Sequence, residues 1–226
     1  MQLFIEQLLN GVAMGAIYSL ITLGLALVYG ILRILHVAHA AVYTAGAYVG
    51  LYVFTLSGSL LLAVPAAMAV CAALGVAVER FVYTPLLRFP PFVPLIGSIA
   101  VFLAMEEVFR IVGGPYILSF PAELPFSGIT IRGVVVSPAI LSIYAVSAAV
   151  LLILWFIVTK TGLGLAMRAT SQDRDIAGTM GINASFTISM TFVLGSAVAA
   201  IAGILVGIYY NQVYPTMGAV PAYKCL

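Results

Sequence analysis

KTGLGLAMRATSQDRDIAGTMGIN, Lys160 to Asn183, is the longest polar interval of the chain, and its surroundings decide the fold. Five charges (Lys160, Arg168, Asp173, Arg174 and Asp175) fall inside it, out of nine Lys plus Arg and seven Asp plus Glu in all. Apolar runs flank it, Ala139 to Thr159 and Phe186 to Tyr210. Each is about the twenty residues that carry a helix across roughly 30 Å of hydrocarbon. The interval therefore stands in water between two membrane spans. Within it, Arg168 to Gly181 is rich in helix formers and puts Ala169, Ile176, Ala177 and Met180 on one face at helical spacing. Two readings are open at this point: a short helix that docks a soluble partner, or an ordinary aqueous loop.

Composition agrees with a membrane protein. Hydrophobic residues make up 64% of the chain and charged residues 7%, against about 25% charged in a soluble domain. Mean hydropathy is +1.21. Two cysteines, Cys71 and Cys225, make neither a disulfide framework nor a metal-ligand spacing. The N-terminus has no basic residue ahead of its apolar stretch, so the first span is expected to be retained rather than cleaved.

Counting outward gives about six spans by apolar length: Leu8 to Ile31, Val37 to Leu56, Leu60 to Val82, Val93 to Val112, Ala139 to Thr159 and Phe186 to Tyr210. Alternate loops hold Arg33, then Arg80 and Arg88, then Lys160, Arg168 and Arg174; the loops between hold Arg132. That bias predicts an external N-terminus and a cytoplasmic Lys160–Asn183 segment. The apolar runs are continuous rather than alternating, which excludes a strand-built barrel. The fold class expected is an all-α integral membrane protein: a polytopic bundle forming a single domain over 1–226, with its one long external loop at about 113–138.

Five features within the spans and their connections carry expectations. Gly11, Gly15 and Ser19, spaced by four in the first span, predict close helix packing. His36 and His39, three apart, share a face if helical; with no third ligand in sight, hydrogen-bonded interior histidines fit better than a metal site. Pro85, Pro90, Pro91 and Pro94 are expected to break the helix after the third span. Glu106 and Arg110 stand at i and i+4 near the outer end of the fourth span, so Glu106 and Glu107 either line a pathway or sit solvated in the headgroup layer. His39 is the third candidate pathway residue. The run ITIRGVVV in the long loop reads as β-like. No phosphate loop, nucleophile triad, metal cluster or nucleic-acid patch stands out, so no catalytic, cofactor or metal residues are expected.

At these residues the chain resembles the membrane permease subunits of branched-chain amino acid ABC importers. NGVAMGAIYSLITLGLALVYGI (Asn10 to Ile31), AGAYVG (Ala45 to Gly50), ERFVYTPLLR (Glu79 to Arg88), TGLGLAMRATSQDRDIAGTMGIN (Thr161 to Asn183) and TFVLGSAVAAIAGIL (Thr191 to Leu205) follow the family's order and gaps. The resemblance implies that the polar segment couples to an ATPase subunit through Arg168, Ala169, Asp173, Ala177, Gly181 and Ile182. It implies cytoplasmic ATP-binding subunits, which bind the ATP, a second permease subunit, an external substrate-binding protein, and a bacterial inner-membrane location. The chain itself is then expected to have no enzymatic activity. Family members usually read Asn-Phe-Ala-His-Gly where this chain has His36 to Ala40, and only Ala38 and His39 persist. They continue for two or more spans past the position of Leu226, so the resemblance also implies a chain incomplete at its C-terminus. Alternatives weighed beside it are a related ABC permease for amides, urea or sugars, an ion-coupled secondary transporter using Glu106 and Glu107, and a non-transporting membrane scaffold.

Overall fold

The computed structural model describes residues 2–122, 128–131 and 134–225. In order, its helices are α1 (Gln2–Leu32), α2 (His39–Ser57), α3 (Leu60–Val78), α4 (Thr84–Leu86), α5 (Phe92–Gly113), α6 (Pro138–Lys160), α7 (Gly162–Gln172), α8 (Arg174–Thr179), α9 (Ala184–Tyr210) and α10 (Ala219–Cys225). A π-helical turn, Glu79–Tyr83, joins α3 to α4, so Leu60–Leu86 runs as one span. Among the described residues six helices are long and apolar enough to cross a membrane; five contain the run expected there, and the second begins at His39, two residues later than the expected Val37. The protein is an all-α polytopic bundle.

The proline expectation needs correction. Pro85 lies inside α4 rather than ending it. A proline removes one backbone donor and crowds the turn before it; a π turn widens the helix at that place and accommodates both. The break comes later, at Leu87–Pro91, and Pro94 falls in the first turn of α5.

The core is α9. It packs against α1, α2 and α3 and is the most deeply buried span. Lipid tails are as apolar as leucine, so helices associate here through close packing rather than through water exclusion. Small residues on α9 provide it: a Cβ on Gly46 would strike Ala200, one on Gly75 would strike Ser196, and one on Gly203 would strike the Tyr43 carbonyl. Gly24 meets Gly195 in the same way. The Gly11, Gly15 and Ser19 stripe takes no part in this. Nothing approaches the Cβ positions of Gly11 and Gly15, and the Ser19 hydroxyl donates back to the Gly15 carbonyl at 2.8 Å. The tight-packing positions of α1 lie lower, at Gly24.

The long loop holds a short hairpin, β2 (Ile129–Ile131) with β3 (Val134–Val136), in the register Ile129↔Val136. This is the run read as β-like; Arg132 and Gly133 lie outside the described residues. A second pair, β1 (Leu118–Ser119) with β4 (Gln212–Val213), ties the same loop to the segment after α9. From there the chain turns back into the bundle. Gly218 lies against Ala40 and Thr44 of α2, and Cys225 lies against the Tyr18 carbonyl of α1.

Candidate functional site

Arg33, Arg88, Lys160, Arg168 and Arg174 all stand at or beyond the helix ends of one face, here called the basic face, with Arg80 in the π turn just inside it. Between α6 and α9 this face carries α7 and α8, two helices rather than the single one expected over Arg168 to Gly181. Local chemistry makes the break. The Thr161 hydroxyl caps α7 by accepting from the Gly164 amide at 3.2 Å, and it donates to the Ile157 carbonyl at 2.5 Å. A Cβ on Gly164 would collide with the Ile157 and Val158 carbonyls, so the turn from α6 into α7 requires glycine there. Asp173 leaves the helix in an extended conformation, and its carboxylate accepts from the Asp175 and Ile176 amides, both at 2.9 Å. A short acceptor side chain at this place starts a new helix, and α8 begins.

The end of α8 is a Schellman motif. Gly181 has φ +84°, its amide donates to the Gly178 carbonyl at 3.0 Å, and the Ile182 amide donates to the Ala177 carbonyl at 3.1 Å. Asn183 then caps α9 through the Phe186 amide at 3.0 Å. The positive φ explains the glycine.

The break rotates the expected apolar face. Ala177 is buried where α8 meets α7 and α9, so it is not on offer to a partner. Ile176 (63% exposed) and Met180 (79%) are on offer, together with Leu165 of α7. Ala169 and Ile182 are half-buried, and Arg168 and Asp173 exposed. On the other side of α7, Met167 is buried in a cluster with Val28, Ile31, Val78, Ile188 and Phe192, which joins the ends of α1, α3 and α9. Three arginines add ties. Arg168 donates to the Val158 carbonyl near the end of α6. Arg174 donates to the Ile31 carbonyl at 3.1 Å, and Arg33 to the Ser171 carbonyl at 3.4 Å. Each places a cation on carbonyls that a helix end leaves unsatisfied.

Just inside this platform lies a polar cluster. His36 Nδ1 is 2.6 Å from the Tyr83 hydroxyl, and its ring centroid is 5.6 Å from that of His39. Burial, with His39 beside it, holds the His36 imidazole well below its ordinary pKa. Neither ring nitrogen of His39 has a hydrogen-bond partner among the described residues, and no third side chain there completes a metal-binding group. It lines only a small cavity of about 10 Å³, with His36, Leu25 and Cys225. Glu79, in the π turn, is buried and accepts from the Ser189 hydroxyl at 2.9 Å and the Thr84 hydroxyl at 3.0 Å. Sequence reasoning passed over Glu79 as part of a longer motif; an acid abutting an apolar span was the available signal.

Glu106 and Glu107 sit elsewhere. Arg110 reaches Glu106 at 3.8 Å, the expected i,i+4 pair, and Glu107 at 2.9 Å. Their helix, α5, is the least buried span, touching α2 through the stacked Tyr48 and Phe109 rings. Neither acid lines the small cavity or the larger one beside α9.

Six spans, a glycine-packed central helix and a two-helix platform between the last two spans define a polytopic membrane protein with an exposed element on its basic face. The family model for the branched-chain amino acid transport system permease component matches residues 7–225. The high-affinity branched-chain amino acid transport system permease protein BraD of Pseudomonas aeruginosa is 31% identical, over 98% of this chain and 76% of its own length. LivH of Escherichia coli K12, of the same description, is 29% identical over the same shares. A probable branched-chain amino acid transport permease protein of Methanocaldococcus jannaschii is 28% identical over 88% of this chain and 64% of its own length. No solved structure matches the chain significantly. The chain belongs to the branched-chain amino acid transport permease family.

Proposed function

We propose that this chain is the membrane-spanning subunit of an ABC importer for branched-chain or related apolar amino acids. It lies in a bacterial inner membrane with its N-terminus outside and its basic face in the cytoplasm, as the excess of Lys and Arg on that face favours. ATP is bound and hydrolysed by separate cytoplasmic subunits, a second permease subunit completes the pathway, and an external binding protein delivers the substrate. The observation that carries this reading is the double-sided platform of α7 and α8. One side exposes Ile176 and Met180 to a partner, while the other inserts Met167 among the ends of three spans. A partner that closes and moves the exposed side therefore moves the spans. This is a rigid-body transition biased by differential contacts.

The test is uptake of labelled L-leucine by the complex reconstituted with its ATPase and external receptor. Uptake that requires ATP and ignores ionophores supports the proposal. Uptake that collapses with an ionophore and proceeds without ATP overturns it in favour of an ion-coupled carrier.

A further inference from the structure

The segment after α9 does more than close the bundle. Where it turns back between α1 and α2 it walls a cavity of about 200 Å³. Four tyrosines line it: Tyr18 halfway along α1, Tyr43 in α2, Tyr210 at the end of α9 and Tyr214 in the returning segment. Met14 and Met217 supply apolar wall between them. The cavity thus reaches from the end of α9 away from the basic face to the middle of α1. Beside it Lys224 stands over the Tyr18 ring, 5.1 Å from the centroid, with its Nζ 3.3 Å from the Tyr18 hydroxyl.

We propose that this cavity is a transit site for a single apolar amino acid. The inference rests on the transport reading above and adds the residues that touch the substrate. Size argues for one small solute, since sites for drug-sized ligands run from about 300 to 1,000 Å³ and a water occupies about 30 Å³. Chemistry argues for a zwitterion with an apolar side chain. An ammonium and a hydroxyl adjoin at Lys224 and Tyr18, and together they suit a carboxylate. Tyrosine faces suit an ammonium group. Methionine side chains are unbranched and adjust to side chains of differing shape, which fits a site for several related apolar residues.

The experiment uses the assembled importer complex with its ATPase and receptor. Tyr18→Phe removes one hydroxyl and keeps the ring. Met14→Trp and Val206→Trp fill the cavity from two different helices, Val206 being a lining residue of α9. Binding of tritiated L-leucine to the purified complex without the receptor is read alongside uptake of leucine and of glycine. Tyr18→Phe is expected to weaken leucine binding roughly tenfold, the loss of one hydrogen bond to a charged group. Both tryptophan variants are expected to abolish leucine uptake and to spare glycine, in complexes assembled at wild-type levels. Wild-type leucine uptake by both tryptophan variants overturns the transit site and leaves the permease reading standing. A wild-type complex that takes up no apolar amino acid overturns both.

Discussion

Arg33 and Arg174 cap one another's helices. Arg33, just past the end of α1, donates to the Ser171 carbonyl in the last turn of α7, and Arg174, just past the end of α7, donates to the Ile31 carbonyl in the last turn of α1. The reciprocity links the first span to the platform on the basic face at two points. A displacement of α7 and α8 would therefore pull on α1 as well as on the Met167 cluster.

Removing either arginine should loosen that link without unfolding the bundle. Arg33 has φ +53°, so Arg33→Gly keeps the backbone comfortable while deleting the side chain. Each loss should cost about 0.5–1 kcal/mol of local stability, as for exposed charged contacts at helix ends. Arg33→Gly and Arg174→Ala are expected to lower receptor-stimulated ATP hydrolysis while basal hydrolysis persists. Equal stimulation in the double variant and the wild type would show that the link carries no coupling.

The exposed and buried faces of α8 predict opposite phenotypes. Ile176→Asp and Met180→Asp should leave the subunit folded and inserted but weaken co-purification of the ATPase, because they put a charge into an apolar contact. Ala177→Asp should instead disturb the fold of the platform, lowering subunit levels even without the ATPase. Immunoblots of membranes and pull-downs separate the two outcomes.

Gly181 offers a graded test of the Schellman turn. Nothing stands near its Cβ position, so substitution meets backbone strain alone. Gly181→Ala should cost about 1–2 kcal/mol, and Gly181→Val somewhat more because branching at Cβ narrows its choices further. Asp173→Ala removes two capping bonds and should cost about 1 kcal/mol. Thermal unfolding of the purified subunit in detergent measures each.

Glu79 should be intolerant of truncation. Glu79→Ala leaves the Ser189 and Thr84 hydroxyls without their acceptor beside the π turn, an expected loss of about 1–3 kcal/mol. Glu79→Gln keeps one acceptor oxygen and should be milder. The double variant Glu79→Ala, Ser189→Ala should be less than additive. Melting temperatures of the wild type, Glu79→Ala, Ser189→Ala and the double variant close the cycle.

The charge pair on α5 separates two roles for Glu106 and Glu107. Arg110→Gln leaves two carboxylates uncompensated and should reduce the level of assembled subunit. Adding Glu106→Gln and Glu107→Gln should restore that level, since no charge then remains. Wild-type uptake by the restored variant would assign the three residues to structure alone; lost uptake at normal levels would place the acids on the pathway.

The spans, the basic face and the local punctuation were legible from residues alone. Apolar length sets a helix's ability to cross a bilayer, and the bases of Arg33, Arg88, Lys160 and Arg174 collect at helix ends where they meet water. The ITIRGVVV run reads correctly as β-like because a cluster of β-branched residues is a local signal. Asp173 carried a local signal too, as an N-cap residue that divides one helix into two, but its position inside a helix-favouring run concealed it.

Which face of each span points inward was decided by the tertiary structure alone. In water an amphipathic stripe would announce the buried side; in a bilayer the lipid-facing and protein-facing sides are both apolar, and the stripe disappears. So Gly11 and Gly15 looked like packing positions and face away, whereas Gly195 and Gly203 at the centre of the bundle looked no different. The pairing of Leu118 with Val213, the return of the chain between α1 and α2 and the meeting of Glu79 with Ser189 all join residues distant in sequence. Such contacts depend on which helices lie side by side, and one chain's pattern of apolar residues does not encode that when every side of a helix is apolar.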